Sequence, residues 1–466
     1  MSTDDLHYLE LVEVGRRIRA GALSPVALTR AMLARIEKLD GTLKSYATVT
    51  ADLALKQAEQ AEAEIKRGAY RGPLHGVPIA VKDLCYTKGV PTAAGMEIHK
   101  AFKPDFDSTV VERFAAAGAV LLGKLQLTEG AFADHHPSIP PPVNPWHKDH
   151  WSGASSSGSG VATAAGLCFA SLGSDTGGSI RFPSAANGVT GLKPTWGRVS
   201  RYGVFALAES LDHIGPMTRS AADAAAVLGV IAGADPNDPT TRQEPVPNYL
   251  AGLERGIRGV RIGVDRKLNT TGVDKDMVKV VDDAFAVLSS LGADVRDAAF
   301  PPPDEIVKVW LPACAVETAV AHEATFPRQA NQYGPALTGV IEAGRALSGL
   351  DLTKINIARD AFRGRVAAFF QDVDLLIIPA QYAASPTTEA MATLGQDEKA
   401  IEMLLRFTSP FDMTGSPTIT LTGGFTAKGL PVAFQLVSRH MEEDLLLRAG
   451  HAFQLATDWH RRRPPV

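Results

Sequence analysis

Hydrophobic and polar positions near the start of the chain recur at helical spacing. Ser24-Pro25 has the form of a helix cap followed by a first-turn proline, and the apolar residues behind it continue with a helical period. A second helix is predicted over 51–66, and the glycine and proline residues at 68–73 mark the loop that follows it. The N-terminal region, about 1–70, is therefore predicted to be helical.

Short apolar runs farther along the chain predict a sheet with parallel pairs. Val77–Val81 is rich in branched residues and bounded by glycine and charged residues, as a buried strand would be. A helix after Asp107 leads into a strand over 120–122, and this β-α-β order is typical of parallel strands. Two later buried strands are predicted at 260–264 and 374–379, so the sheet continues through the second half of an α/β fold.

Composition narrows the class of protein. The 466 residues are 45% hydrophobic and 21% charged, which is typical of a globular chain and excludes disordered and fibrous classes. The 47 basic and 51 acidic residues are interspersed, so no basic track for nucleic acid is expected. The acidic start and the lack of an apolar run near the ~20 residues of a membrane span predict a cytoplasmic protein without membrane contact.

The most informative stretch is Gly173–Pro183, in which two glycines directly precede Ser179. A nucleophilic serine needs main-chain N–H groups near the developing oxyanion, and residues without a Cβ let a substrate approach that backbone. Ser179 is therefore the candidate nucleophile. Taken alone, this segment also fits an ordinary glycine turn between a strand and a helix.

Two further segments carry candidate chemistry. Gly153–Gly160 has the composition of a flexible linker, although ordered apolar sequence begins directly after it at Val161, where a helix is predicted. Lys82 follows a predicted buried strand, where desolvation would lower its pKa and let it act as a base. An ordinary solvated lysine at a strand end is the alternative. Neither a Gly-x-Ser-x-Gly nor a Ser-x-x-Lys pattern occurs.

Together these segments resemble the amidase signature family. Gly76–Asp83 looks like its lysine motif, Gly153–Ser159 like its serine-glycine motif and Asp175–Arg181 like its nucleophile motif, all in family order. Ser155 and Ser179 are 24 positions apart, which matches the family's separation of these two serines. The resemblance spans most of the chain and is weakest from about 237 to 421.

The resemblance implies a fold and a set of roles. The expected fold is one domain over 1–466, a three-layer α/β/α sandwich around a wide mixed sheet, with a catalytic core at about 71–220 and a second sheet half with a helical insertion at about 259–466. No metal or cofactor is implied, and a homodimer is left open. The implied roles are Ser179 as nucleophile, Ser155 as proton relay, Lys82 as base, main-chain N–H groups of Thr176, Gly177, Gly178 and Ser179 as oxyanion donors, and Ser156, Asp175 and Arg181 as support.

The chain departs from the family pattern at Ala154 and Ser157, where members usually have glycine. The family holds its relay serine by a cis peptide, and whether Ala154-Ser155 adopts it is a question that the sequence leaves to the structure. Phe132, Trp146 and Trp151 flank the relay segment and predict an apolar or aromatic small-molecule substrate, an amide, anilide, ester or aryl carbamate.

Two other functions stay open. The loop that contains His135, His136, His147 and His150 offers imidazoles to a metal-dependent hydrolase, although their spacing matches no familiar zinc signature. One branch of the family forms the glutaminase subunit of the tRNA-dependent amidotransferase, but the Thr128–Pro142 loop differs from the stretch expected there. A stand-alone hydrolase is therefore preferred. The three cysteines Cys85, Cys168 and Cys314 fit neither a disulfide framework nor a zinc site and are interpreted as structural thiols.

Overall fold

The protein is described by a computed structural model that covers residues 6–466. Its strands are β1 Tyr46–Val49, β2 Pro78–Lys82, β3 Val120–Leu125, β4 Ala170–Asp175, β5 Thr190–Lys193, β6 His213–Thr218, β7 Arg261–Val264, β8 Asp294–Asp297, β9 Leu375–Pro379, β10 Thr418–Phe425 and β11 Pro431–Ser438. Its α-helices are α1 Leu11–Arg19, α2 Pro25–Leu43, α3 Ala51–Lys66, α4 Thr109–Ala116, α5 Ser157–Ala164, α6 Arg181–Asn187, α7 Ala221–Ile231, α8 Tyr249–Gly252, α9 Arg266–Thr270, α10 Lys275–Ser290, α11 Asp304–Ala321, α12 Pro335–Ala346, α13 Gly349–Asp372, α14 Thr388–Leu394, α15 Glu398–Leu405, α16 Ser409–Thr414 and α17 Glu443–Ala456.

Within residues 6–466, eleven strands form one mixed sheet in the order β1-β3-β2-β4-β6-β5-β10-β11-β9-β7-β8. β2 lies between β3 and β4 and is parallel to both, and β7 is likewise parallel to β8 and β9. The strands between these two parallel groups pair antiparallel. The sheet therefore joins strands from both halves of the chain.

The central strands are covered on both faces. Every residue of β2, β3, β4, β6, β9 and β11 is buried, although successive side chains of a strand point to opposite faces. Such strands need helices on both sides. The chain thus has the predicted α/β class, a three-layer α/β/α sandwich around a wide mixed sheet.

Most predicted elements are present, but the N-terminal region that was predicted to be helical also contains the strand β1, Tyr46–Val49, which pairs with β3. α3 spans the predicted 51–66, and α2 begins at Pro25 with the Ser24 hydroxyl accepting a hydrogen bond from the Ala27 amide. β3 was predicted over 120–122 but runs on to Leu125, because it pairs with β1 on one side and β2 on the other. The linker-like segment is half helical, since α5 already begins at Ser157 rather than at Val161.

The topology brings two candidate segments together. β2 and β4 are adjacent and parallel, with Val81 paired to Leu172, so their carboxyl ends lie side by side. Lys82 ends β2 and Asp175 ends β4, immediately before the predicted nucleophile loop. Ligand sites of open α/β sheets commonly lie beyond the carboxyl ends of such strands. Among residues 6–466, no helix combines the length and apolar character that crossing a bilayer requires.

Candidate active site

Lys82 lies at the centre of a cluster of serine hydroxyls. Its side chain is fully buried, and its Nζ lies 2.6 Å from Ser155 Oγ, 2.9 Å from Ser156 Oγ and 2.8 Å from Ser174 Oγ. Ser155 and Ser156 were predicted from the sequence, and Ser174 was not. The Lys82–Ser155 contact joins residues 73 positions apart, as the predicted relay requires.

Burial makes Lys82 a candidate base. It lowers the pKa of the amine to about 7, although the nearby thiol of Cys85 and carboxylates of Asp175 and Asp212 favour the charged form. Near pH 7 a large fraction of Lys82 is therefore neutral, with two N–H groups and one lone pair. The three hydroxyls around Nζ match that set, because two can accept hydrogen bonds and one can donate.

The hydroxyl hydrogen of Ser156 points away from Lys82. Ser156 Oγ donates to the carbonyl of Ser174 at 3.1 Å and accepts from the Ser174 amide at 3.3 Å. Its hydrogen is thus committed to the main chain, and toward Lys82 it can only accept. The lone pair of neutral Lys82 is left for Ser155 or Ser174, and Ser155 is the nearer of the two.

The relay segment and the nucleophile loop meet through their main chains. The amide of Ser156 donates to the carbonyl of Ser179 at 3.3 Å, and the Ser155 carbonyl accepts from the Thr128 amide at 3.2 Å. The Ala154-Ser155 peptide is cis, which answers the question left open by alanine at position 154. Ser155 is fully buried, whereas Ser179 is partly exposed and lines a cavity.

Asp175 and Arg181 hold the loop that contains Ser179. The Asp175 carboxylate accepts from the main-chain N–H groups of Gly178 at 2.7 Å and Ile180 at 2.9 Å, and from the Arg181 guanidinium at 2.7 and 3.0 Å. Burial opposes this charge, but Arg181 outweighs it and holds the pKa of Asp175 below its ordinary value. The N–H of Gly178 is consequently not free to bind a substrate oxygen, contrary to the sequence prediction for this residue.

Residues of the second half complete the support. Arg181 donates to the carbonyl of Thr408 at 2.7 Å and to the carboxylate of Asp412 at 2.5 Å, and both groups are fully buried. Thr408 Oγ1 donates in turn to the carbonyl of Gly177 at 2.6 Å. These partners lie more than 225 positions from the loop in the region where the family resemblance is weakest, so no sequence signal singled them out.

Comparisons with known proteins agree with this geometry. The sequence model of the Amidase family matches residues 27–447. The AmiD protein of Mycobacterium tuberculosis (strain ATCC 25618 / H37Rv) is 50% identical over 466 residues, covering 100% of this chain and 98% of AmiD. The chain belongs to the amidase signature family. The resemblance predicted from its motifs is thereby confirmed, and family membership supports hydrolysis of a carbon–nitrogen bond of the amide type.

Two further relatives place this amidase among proteins of different activity. A glutamyl-tRNA(Gln) amidotransferase subunit from Geobacter sp. (strain M21) is 37% identical over 486 residues, covering 98% of this chain and 99% of the relative. The crystal structure of a peptide amidase from Stenotrophomonas maltophilia superposes with a TM-score of 0.84 at 31% identity, covering 98% of each chain. Family and fold are shared across these proteins.

A largely apolar cavity of about 440 Å³ opens at Ser179 of this amidase. Phe132 and Trp151, predicted to flank the site, line it together with Phe182, and the rest of the wall comes mainly from α11, α12, α14 and α15. Trp146 does not line the cavity, because its ring packs on Phe425 and its indole N–H donates to the carbonyl of Asn187.

The four loop histidines are not gathered at one point. Within residues 6–466 no group of three or more His, Cys, Asp or Glu side chains is placed to hold a metal ion. His135 contacts the Ser157 hydroxyl at 3.2 Å, His136 contacts Ser138, and His150 contacts the Ser385 carbonyl. The ring of His147 packs on that of His150 with centroids 4.6 Å apart, but His135 and His136 have other partners, so the four imidazoles form no group of three ligands.

The depressed pKa of Lys82 predicts the acid limb of the pH profile. Below about pH 7 Lys82 gains a proton and can no longer accept one, so we expect kcat/KM to fall toward acid with a midpoint near 7. The measurement is kcat/KM from pH 5 to 9, with circular dichroism to show that the fold persists. A flat profile would contradict the role of Lys82.

A companion variant tests whether the acid limb reports Lys82 or Lys193, because burial also lowers the pKa of Lys193 to about 7. Ser174→Ala removes a hydroxyl that stabilises the Lys82 ammonium, and it leaves the Lys193 contact with the Ser416 carbonyl intact. The midpoint of the acid limb is therefore expected to move to lower pH. An unchanged midpoint would assign the limb to another group.

The buried Arg181 predicts a large effect on stability. Arg181→Met leaves the Asp175 carboxylate buried without its counter-charge, and breaking such a pair is expected to cost about 3–5 kcal/mol of unfolding free energy. The matched control is Arg266→Met, which removes the exposed pair with Asp297 and is expected to change little. Urea midpoints of both variants check this, and equal midpoints would refute it.

Proposed function

We propose that the chain hydrolyses an amide-type bond through an acyl-enzyme on Ser179. Ser179 Oγ attacks the substrate carbonyl carbon and gives its proton to Ser155, which passes its own proton to Lys82. The proton returns through Ser155 to the leaving nitrogen as the carbon–nitrogen bond breaks. Water then attacks the acyl carbon and gives its proton to the same relay. The bond from the acyl carbon to Ser179 Oγ breaks as the relay returns that proton to Ser179, and the acid leaves.

The observation that carries this proposal is the fully buried amine of Lys82 among three serine hydroxyls, with a pKa of about 7. A base with a pKa near the working pH combines a large neutral fraction with useful basicity. Burial keeps water from Nζ, so its lone pair is directed to a hydroxyl. The nearest hydroxyl is that of Ser155, whose neighbour Ser156 is bonded to the nucleophile loop.

The cavity favours an apolar acyl group as substrate. Asp134 is its only charged lining residue within the described part of the chain, and aromatic and aliphatic side chains form most of the wall. Burial of such surface stabilises a bound apolar group by roughly 25 cal/mol per Å². The substrate class is therefore an amide, anilide, ester or aryl carbamate with an apolar acyl or aryl part.

The alternative is a glutaminase subunit, and the 37% identity to the Geobacter amidotransferase subunit supports it. Free glutamine is zwitterionic, and its α-carboxylate needs a cationic or multiply donating partner. No lysine, arginine or histidine of residues 6–466 lines the cavity at Ser179. We therefore favour a stand-alone hydrolase. A kcat/KM for glutamine above that for a fatty amide, an anilide and an aryl carbamate would reverse this preference.

Ser179→Ala is expected to abolish turnover and covalent labelling by a fluorophosphonate, because it removes the attacking oxygen and leaves the loop bonds to Asp175 in place. Intact-protein mass spectrometry would show the adduct on wild type only. Ser138→Ala, a variant of an exposed serine on the neighbouring loop, is the control and should label normally. An adduct on another serine would overturn the assignment.

Gly339 offers a test of the acyl cavity. It lines the cavity in α12, and a Cβ added there meets no atom within 4 Å, so Gly339→Leu is expected to add apolar bulk at the cavity without a clash at its Cβ. We expect kcat/KM to fall about 10-fold or more for long acyl chains, since lost apolar contacts in a pocket change specificity by roughly 10–200-fold. Acetyl substrates should be nearly unaffected.

The matched control is Gly364→Leu, because Gly364 is also a helical glycine with open space at its Cβ but lies in α13 outside the cavity. Assays with acyl chains of two to twelve carbons compare the variants. Equal losses for short and long chains in Gly339→Leu would contradict binding of the acyl chain in this cavity.

A further inference from the structure

All four carbonyls of the segment from Thr176 to Ser179 accept hydrogen bonds. The Thr176 carbonyl accepts from the Trp310 indole at 2.8 Å, and the Gly177 carbonyl from Thr408 Oγ1 at 2.6 Å. The Gly178 carbonyl accepts from the main-chain N–H of Phe182, and the Ser179 carbonyl from that of Ser156. Two bonds of this set therefore come from side chains of the distant second half of the chain.

The N–H groups of the same segment divide into two kinds. Those of Gly178 and Ile180 donate to Asp175. Those of Thr176, Gly177 and Ser179 donate to no protein acceptor within residues 6–466, and all three residues line the cavity. From Gly177 to Ile180, unbound and bound N–H groups thus alternate along the loop.

Peptide geometry links each unbound N–H to a held carbonyl. In a trans peptide the C=O and the following N–H point in opposite directions, so fixing one fixes the other. The Trp310 indole holds the carbonyl of Thr176 and so orients the N–H of Gly177. Thr408 Oγ1 donates to the carbonyl of Gly177, and Asp175 accepts from the N–H of Gly178. The peptide that joins Gly177 to Gly178 is therefore fixed at both groups, and it lies between the unbound N–H groups of Gly177 and Ser179.

We propose that Trp310 and Thr408 are positioning residues for the oxyanion hole, which consists of the N–H groups of Gly177 and Ser179. This inference rests on the proposed acyl-enzyme function. Trp310 acts through the peptide before Gly177, and Thr408 acts through the peptide after it. Neither side chain donates to the substrate oxygen itself.

The close packing of Trp310 on the loop supports this assignment. A Cβ added to Gly177 would lie 2.3 Å from the Trp310 ring, so the indole rests directly on the glycine backbone. Trp310 is buried and also lines the acyl cavity. One residue therefore contacts both the space for the substrate and the peptide that aims an oxyanion donor.

The test compares Thr408→Val, which keeps the shape and removes the hydroxyl, with Thr408→Ser, which keeps the hydroxyl. Removing an oxyanion donor costs about 10²–10³-fold in kcat, so misaligning one is expected to cost about 10-fold to 100-fold. The valine variant should lose kcat with KM nearly unchanged, and the serine variant should recover it. Trp310→Phe removes the indole N–H and is expected to lose kcat similarly.

The decisive readout is binding of an apolar trifluoromethyl ketone, which forms an oxyanion with the serine, against binding of the matching uncleaved amide. For Thr408→Val and Trp310→Phe, Ki for the ketone should rise in parallel with KM/kcat, while affinity for the amide stays the same. A general structural defect would weaken both ligands. Short acyl groups are used so that space opened by Trp310→Phe has little influence.

Two controls lose equivalent bonds elsewhere. Trp146→Phe removes an indole–carbonyl bond of 2.7 Å, and Thr318→Val removes a buried hydroxyl–carbonyl bond of 2.8 Å within α11. Both should retain kcat. Wild-type kcat in Thr408→Val and Trp310→Phe would overturn this inference while leaving the proposed function intact. An active Ser179→Ala would instead overturn the proposed function.

Discussion

The carboxylate of Asp175 is the group on which the geometry of the site depends. It ends β4 beside β2, and it accepts hydrogen bonds from main-chain N–H groups of the nucleophile loop and from Arg181. A buried charge is costly unless it is paired and hydrogen-bonded, so this carboxylate forces the loop to wrap around it. The N–H groups of Gly177 and Ser179 do not donate to this carboxylate, and both residues line the cavity.

Burial has opposite consequences for Asp175 and Lys82, although both are completely enclosed. Asp175 has a guanidinium at 2.7 Å and stays ionised, which anchors the loop. Lys82 touches only neutral hydroxyls, so desolvation prevails and lowers its pKa to about 7. The same sheet edge thus supplies a permanent charge for structure and a titratable amine for chemistry, and the difference lies in the partner that each group meets.

Apolar periodicity predicted the sheet class, the helix α3 and the strands β2, β3, β7 and β9, whereas the placement of Lys82 beside Ser155 was implied by the family resemblance. Neither indicated Ser174, which lies one residue before the motif that begins at Asp175 and whose role depends on which way β4 presents its side chains. Both also missed Thr408, Asp412 and Trp310, because their contacts with the loop span well over a hundred residues. These long-range contacts depend on how the two halves of the chain pack together. Local periodicity in the sequence carries no information about that packing.

The helices of the second half connect specificity to chemistry. α11 and α12 line the acyl cavity, and Trp310 of α11 also holds the Thr176 carbonyl. A Cβ added to Gly339 in the cavity wall meets no atom within 4 Å. A larger residue there is therefore expected to leave the N–H groups of Gly177 and Ser179 in place. Trp310 has no such freedom, because any smaller ring would release the peptide that aims the N–H of Gly177. On the proposed function, we therefore expect substitutions on α12 to change substrate range at little cost in rate, whereas substitutions on the face of α11 against the loop should lower the rate.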